Sequence, residues 1–161
     1  EMEPFMGGGE MIETVTMSAS TWNDVPYKFE AGTPNFVQAV GLGAAIDYLI
    51  SIGMEEIHHH EKSLTSYALD ELKKIRGLNV HGSSPHRSGV ISFNIEGIHP
   101  NDLAYFLNEF NIAVRVGHHC AQPLLSKLGE TATARISLYL YNDESDIDNF
   151  CNALNEIKSY F

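Results

Sequence analysis

The stretch Arg115-Val116-Gly117-His118-His119-Cys120-Ala121-Gln122-Pro123 places a cysteine directly after two histidines and shortly before a proline. A thiol is nucleophilic only as its thiolate, and cationic neighbours or a helix N-terminus lower its pKa. Inert, buried cysteines usually lie within apolar runs, as Cys151 does. We therefore predict that Cys120 is exposed and reactive, whereas Cys151 packs inside a helix.

The segments around this loop predict an α+β fold. Two helices come first, and strands and helices then alternate to the end of the chain. This order predicts three or four mostly antiparallel strands with helices packed on one face. The predicted helices cover 36–52, 54–75, 101–110, 123–127 and 145–160, and the predicted strands cover 79–81, 89–95, 113–116 and 133–140.

Residues 1–35 do not resemble the start of an autonomous domain. Gly7-Gly8-Gly9 indicates a flexible turn, 11–17 alternates like a strand, and 22–35 is irregular with two prolines. Large aromatic residues in this region have no local pattern that would bury them. Two interpretations remain open: a loop packed on its own domain, or an arm that belongs with another domain or a partner subunit. We place the boundary after residue 35, with a small α+β domain over 36–161.

Composition excludes several classes of partner. With 10 basic and 21 acidic residues the net charge is −11, which argues against nucleic acid and anionic membranes. No apolar run approaches the roughly 20 residues of a membrane span. The chain also opens without a secretion signal, so we expect two free thiols in a reducing cytoplasm.

Arg115 and Arg135 stand in strand segments that otherwise require apolar residues. A guanidinium group on a half-buried sheet needs a partner, and its planar fork suits a carboxylate. Two interpretations stay open on spacing alone. The partner is either a carboxylate substrate or a structural acid, for which Glu96, Glu109 and Glu130 are the candidates.

Two histidine clusters suggest metal binding, but neither has suitable spacing. Consecutive helical residues point about 100° apart, so His58-His59-His60-Glu61 cannot converge on one ion and predicts a solvated helix face. Adjacent ligands such as His118, His119 and Cys120 rarely chelate zinc, and the chain has no second ligand pair at zinc-like spacing. We predict no metal site.

Taken with three other segments, the cysteine loop resembles that of cysteine desulfurases of the SUF, or group II, type. The other segments are Phe29–Asn35, Gly7–Ile12, and Ala134–Ser137 with Tyr141-Asn142, and they occur in the family's order. These enzymes depend on pyridoxal phosphate (PLP) and belong to the class V aminotransferases. The resemblance implies the small C-terminal domain of the type I PLP-transferase fold, with 1–35 as an arm or remnant of the large cofactor domain.

The resemblance also implies roles for individual residues. Cys120 resembles the nucleophile that becomes a persulfide, and His119 resembles a proton carrier beside it. Arg135 resembles the residue that holds the substrate carboxylate, with Arg115 next to the substrate. Thr33, together with Gly32, resembles the segment that reaches the PLP phosphate across a homodimer.

The residues that bind PLP in the family's large domain are missing: the lysine that carries it, an aspartate that pairs with the pyridine nitrogen and a histidine that stacks on the ring. None of the six lysines has the context of the lysine that carries PLP, so we expect this chain to be the C-terminal portion of the enzyme and inactive alone. The parent would convert L-cysteine to L-alanine and pass persulfide sulfur to an acceptor protein of the SUF pathway for iron–sulfur cluster assembly. The alternatives are a selenocysteine lyase of the same family, or a PLP-independent persulfide carrier or assembly domain.

Overall fold

A computed structural model describes residues 2–82 and 84–161. The chain divides into two compact units, Glu1–Ser51 and Ile52–Phe161. This division falls later than the boundary predicted after residue 35, because the helix that begins at Phe36 belongs to the N-terminal unit. The division into units does not test the assignment of 1–35 as an arm, which stays a prediction.

The N-terminal unit contains a small hairpin and a long helix. Strands β1 (Ile12–Val15) and β2 (Ser20–Trp22) pair antiparallel. The hydroxyl of Thr16 stabilises the turn by accepting a hydrogen bond of 3.0 Å from the backbone N–H of Ala19. The second strand was not predicted, since three residues are too few to show alternation. A short 3-10 helix, Tyr27–Phe29, and helix α1, Phe36–Ile52, follow.

Helix α1 is apolar around its whole circumference. Asp47 is its one charged residue, yet no α1 side chain is buried in the described chain, and Val40 is 74 % exposed. Helices that are apolar on every face are normally found inside proteins. The favourable free energy of burying these side chains is therefore not realised among the described residues.

The C-terminal unit has the predicted α+β architecture. Its four-stranded sheet is antiparallel throughout, in the order β3-β4-β6-β5. The strands are β3 (Leu78–Val80), β4 (Val90–Ile95), β5 (Arg115–Gly117) and β6 (Thr133–Ser137). The helices are α2 (Met54–Leu72), α3 (Pro100–Glu109), α4 (Gln122–Leu128) and α5 (Glu144–Lys158).

The two faces of the sheet differ in polarity. Along β4, Ile91, Phe93 and Ile95 are buried against the helices, and the Phe93 ring meets that of Phe150 edge-on at 5.8 Å. The alternate residues Ser92 and Asn94 lie on the opposite face and are only partly buried. We call this second, polar side the outer face. One apolar and one polar face are typical of an antiparallel sheet.

Strand β6 ends at Ser137, although the apolar pattern predicted a strand to residue 140. The reason is a side chain: Asn142 Oδ1 accepts a hydrogen bond of 2.9 Å from the Tyr139 N–H and pulls the chain into a turn. Beside this turn, a Cβ on Gly89 would lie 2.4 Å from the Leu138 carbonyl oxygen, so only glycine fits there. Helix α2 likewise ends at Leu72, before the predicted residue 75.

Helix α5 begins one residue before its predicted start, with Asp143 as its N-cap. The Asp143 carboxylate accepts hydrogen bonds from the N–H groups of Ser145 and Asp146, and Asp146 Oδ2 accepts one from the Asp143 N–H. This reciprocal capping box satisfies N–H groups that have no partner within the helix. Helix α3 is capped less conventionally, by His99 Nδ1, which accepts from the Asn101 N–H at 3.2 Å.

No single helix among the described residues is long and apolar enough to cross a lipid bilayer. Helices α1 and α2 meet the length and composition requirements only as a pair, with a break and a bend between them.

We expect Phe93→Ala to destabilise the C-terminal unit by about 3–5 kcal/mol, because the phenyl ring is fully buried and its loss leaves a cavity. Native-state hydrogen exchange of the sheet amides would measure the change. The control is Tyr105→Ala, since Tyr105 is 68 % exposed and its removal should cost little. Equal losses in the two variants would contradict this assignment of the core.

Candidate active site

The cysteine loop connects β5 to α4 and has an unusual backbone. After Gly117, at φ 114°, both His119 (φ 52°) and Cys120 (φ 59°) adopt left-handed conformations. Such conformations cost free energy in residues other than glycine and cluster at functional sites. The turn closes with a hydrogen bond of 2.8 Å from the Ala121 N–H to the His118 carbonyl oxygen. Cys120 is exposed at the tip of this loop, as predicted.

The other cysteine has the opposite environment. Cys151 is buried on α5, and burial raises the pKa of its thiol to about 11, with Glu71 and Asp148 adding to the rise. Both cysteines are free thiols, as predicted. At neutral pH the thiolate fraction of Cys151 is therefore very small.

Arg115 and Arg135 lie directly opposite each other on β5 and β6. Like charges at directly opposed positions destabilise a sheet. No hydrogen bond or ion pair satisfies either guanidinium group in the described parts of the chain, and Arg135 Nε is buried without a partner. None of the candidate acids pairs with either arginine among the described residues, and Glu130 lies 3.7 Å from His81 instead. A carboxylate substrate as the partner of the two arginines stays a prediction.

His119 is held by a residue that the sequence did not indicate. Its Nε2 lies 2.9 Å from Thr133 Oγ1 and 3.1 Å from the Thr133 carbonyl oxygen, and Thr133 is 1 % exposed. A carbonyl oxygen only accepts, so this hydrogen-bond geometry assigns the hydrogen to Nε2 and the lone pair to Nδ1. Nδ1 is buried and has no partner among the described residues.

The environment of His119 favours its neutral form. Burial is the main cause that lowers its pKa, and Arg135, Arg115 and His118 lower it further. The hydrogen bond to the Thr133 carbonyl oxygen raises the pKa, but by less than the other causes lower it. Desolvation and nearby cations both disfavour an imidazolium ion. His119 thus presents a neutral ring with one free proton acceptor.

A polar network on the outer face fixes the chain just before Thr133. His81 Nε2 donates to Asn94 Oδ1 at 2.8 Å, and Asn94 Nδ2 donates to the Ala132 carbonyl oxygen at 2.9 Å. The network links β3 and β4 to the start of β6. Since Thr133 follows Ala132, it also restrains the residue that anchors His119.

Four of the six predicted site residues lie on β5, β6 and the loop that follows β5: Arg115, His119, Cys120 and Arg135. Thr133 is not among the predicted site residues, although its spacing of two from Arg135 places both on the same face of β6. The His81–Asn94 pair is not predicted either, because no local pattern indicates it.

The other two predicted site residues, Gly32 and Thr33, lie in the N-terminal unit. Gly32 adopts φ 89°, and its N–H donates to the Gly9 carbonyl oxygen at 2.9 Å. A Cβ on Gly8 would lie 3.0 Å from Gly32 N, so Gly8, unlike Gly7 and Gly9, permits a close backbone approach. Thr33 is exposed.

The histidine cluster on α2 is exposed, as predicted for a solvated face. His60 has one specific contact, 2.9 Å from its Nε2 to the Asn142 carbonyl oxygen, which ties α2 to the turn before α5. Within the described residues no group of three or more histidine, cysteine or acidic side chains could hold a metal ion.

The fold and the loop together define an α+β domain with an exposed cysteine. Residues 1–150 match the family model for aminotransferase class V, and the chain belongs to that family. Among curated relatives it is 52 % identical, over its full length, to a "probable cysteine desulfurase" of Halalkalibacterium halodurans. The predicted resemblance to cysteine desulfurases is confirmed.

Solved structures lead to the same group of proteins. The cysteine desulfurase CsdA of Escherichia coli, described as an S-sulfonic acid form, is 36 % identical and superposes over 99 % of this chain with a TM-score of 0.90. The apo cysteine desulfurase of Thermococcus onnurineus is also 36 % identical, superposes over 98 % of this chain and has a TM-score of 0.88. The chain spans 39 % of the Halalkalibacterium relative and 40 % of each of these two structures.

A more distant likeness concerns the fold alone. A variant of the lyase C-DES, described with glycine covalently linked to its PLP cofactor, is 21 % identical, with a TM-score of 0.72 over 94 % of this chain and 37 % of that structure.

We expect iodoacetamide to label Cys120 rapidly and to leave Cys151 unmodified in the native protein. Cys120 is exposed, whereas Cys151 is buried and its raised pKa alone lowers its thiolate fraction about a hundredfold. Peptide mapping by mass spectrometry would measure both sites, with denatured protein as the control in which both react. Equal native labelling would contradict the assignment.

Proposed function

We propose that this chain forms part of a PLP-dependent cysteine desulfurase of the SUF type. The observation that carries the proposal is the Arg115–Arg135 pair, which lacks an acidic partner in the described chain and lies beside the loop of the exposed Cys120. A guanidinium pair of this kind suits the carboxylate of an amino acid. The substrate that also offers sulfur to a thiol nucleophile is L-cysteine.

In the proposed reaction the arginine pair binds the substrate carboxylate and orients the substrate sulfur toward Cys120. The Cys120 thiolate forms an S–S bond with that sulfur as the substrate C–S bond breaks. The electron pair of the C–S bond stays with the carbon, which takes up a proton to give L-alanine. Cys120 is left as a persulfide, and exposure of the loop lets an acceptor protein reach it.

PLP fits the residues that the chain offers. Thr33 is an exposed residue whose hydroxyl has no hydrogen-bond partner among the described residues, and it follows the turn at Gly32. These residues would contact the phosphate of PLP bound mainly by a partner subunit of a homodimer. PLP supplies the electron sink for carbanion chemistry. None of the six lysines has the sequence context of the family's PLP-bearing lysine, so we propose that the isolated chain has no desulfurase activity.

The downstream partner in this proposal is a sulfur-acceptor protein of iron–sulfur cluster assembly in the cytoplasm. A selenocysteine lyase would use the same carboxylate site and would be recognised by a preference for selenocysteine over cysteine in turnover. A PLP-independent persulfide carrier or assembly domain is the remaining alternative. A carrier needs only an exposed thiol, and this chain supplies one in Cys120.

We expect Arg135→Gln in the full-length enzyme to raise KM for L-cysteine about 10- to 100-fold. The reason is the loss of a charge-assisted hydrogen bond to the carboxylate, worth roughly 1.5–3 kcal/mol. Arg135→Lys keeps the charge but lacks the planar fork, so its KM should lie between those of the wild type and Arg135→Gln. Steady-state kinetics would measure the series, and an unchanged KM in both variants would exclude the proposed carboxylate site.

Cys120→Ser in the full-length enzyme should abolish alanine formation from cysteine while the absorbance of bound PLP remains. The serine hydroxyl is too weak a nucleophile to accept the sulfur, whereas the substitution itself should leave the fold intact. Cys151→Ser serves as the matched control. Desulfurase activity in Cys120→Ser, or in the isolated 161-residue chain, would contradict the proposal; persulfide loading of that chain by a separate desulfurase would favour the carrier.

A further inference from the structure

His119 and the two arginines occupy one small area of the outer face. Thr133 and Arg135 are two residues apart on β6, so both side chains lie on the same face, about 7 Å from each other along the strand. Arg115 lies directly across from Arg135, and the His119 ring is hydrogen-bonded to Thr133. An anion bound by the arginines would therefore lie close to the imidazole.

The charged groups that most disfavour a second proton on the His119 ring are Arg135 on β6, Arg115 on β5 and His118 on the same loop. Protonation would also turn the buried Nδ1 into a donor without a partner. A buried donor that lacks an acceptor is costly.

We propose that binding of a carboxylate by Arg115 and Arg135 and protonation of His119 at Nδ1 promote each other. The inference rests on the proposed function, which assigns the substrate carboxylate to this arginine pair. The carboxylate neutralises the guanidinium charges and so removes part of what opposes the imidazolium ion. Coupling of this kind is reciprocal, so a proton on His119 must strengthen carboxylate binding by the same factor.

The coupling gives Thr133 a role as a positioning residue. By accepting the Nε2 hydrogen, Thr133 makes Nδ1 the single nitrogen of His119 that can receive a proton. In the carboxylate complex Nδ1 takes up a proton from the solvent, whereas in the free site the imidazole stays neutral.

The affinity of the full-length holoenzyme for propionate tests the coupling. Propionate carries a carboxylate but neither an amine nor a thiol, and calorimetry can follow its binding between about pH 5.5 and 8, the range that spans the titration of histidine. In the wild type we expect affinity to rise about fivefold as the pH falls. In His119→Gln the side-chain amide can still donate to Thr133 but does not titrate, so this rise should disappear.

His118→Gln is the matched control, because it removes the neighbouring exposed histidine of the same loop and should keep the rise. A second measurement uses the unaltered protein: nitrogen NMR of His119 should show a higher pKa with propionate than without it. It should also show Nε2 as the protonated nitrogen of the neutral ring.

The outcomes separate the coupling from the carboxylate site. If the wild type and His119→Gln share one pH dependence, or if the rise is lost in His118→Gln instead, the coupling is wrong and the carboxylate site stands. If propionate does not bind, or binds equally well to Arg135→Gln, the carboxylate site is wrong and the coupling falls with it. An unchanged His119 pKa in the presence of bound propionate would also overturn the coupling.

Discussion

The antiparallel pairing of β5 with β6 is the constraint on which the rest of the site depends. Its register places Arg115 opposite Arg135 and Gly117 opposite Thr133. One end of the ladder therefore carries two unneutralised cations, and the other holds the anchor of the cysteine loop. A shift by one residue would turn Arg135 and Thr133 toward the helices and destroy both features.

The sheet tolerates these cations because its core lies on the other side. Ala134 and Ile136 alternate with the polar residues of β6 and are buried against the helices, where apolar burial stabilises the strand pairing. The network of His81 and Asn94 adds polar restraint on the outer face. Packing on one face thus stabilises an arrangement of charge on the other that would be unfavourable alone.

Much of this could be predicted from periodicity. The helices and strands of the C-terminal unit, the cap at Asp143 and the contrast between Cys120 and Cys151 follow from local patterns. The Asn142 side chain that ends β6 and the Thr133–His119 contact could not be predicted, since both arise between residues that meet only in the folded chain. The two arginines were noticed as exceptions within strands, but their opposition depends on a register that single-strand patterns do not contain.

Helix α1 has no side that must face the interior of the protein. A helix with one apolar stripe fixes its own rotation about its axis, because one side must turn inward. Helix α1 has no such preferred side, since its apolar residues surround it and none of its side chains is buried within the described chain. Whatever surface covers α1 must therefore enclose it from several directions, and that surface determines which residues of the helix face which neighbour.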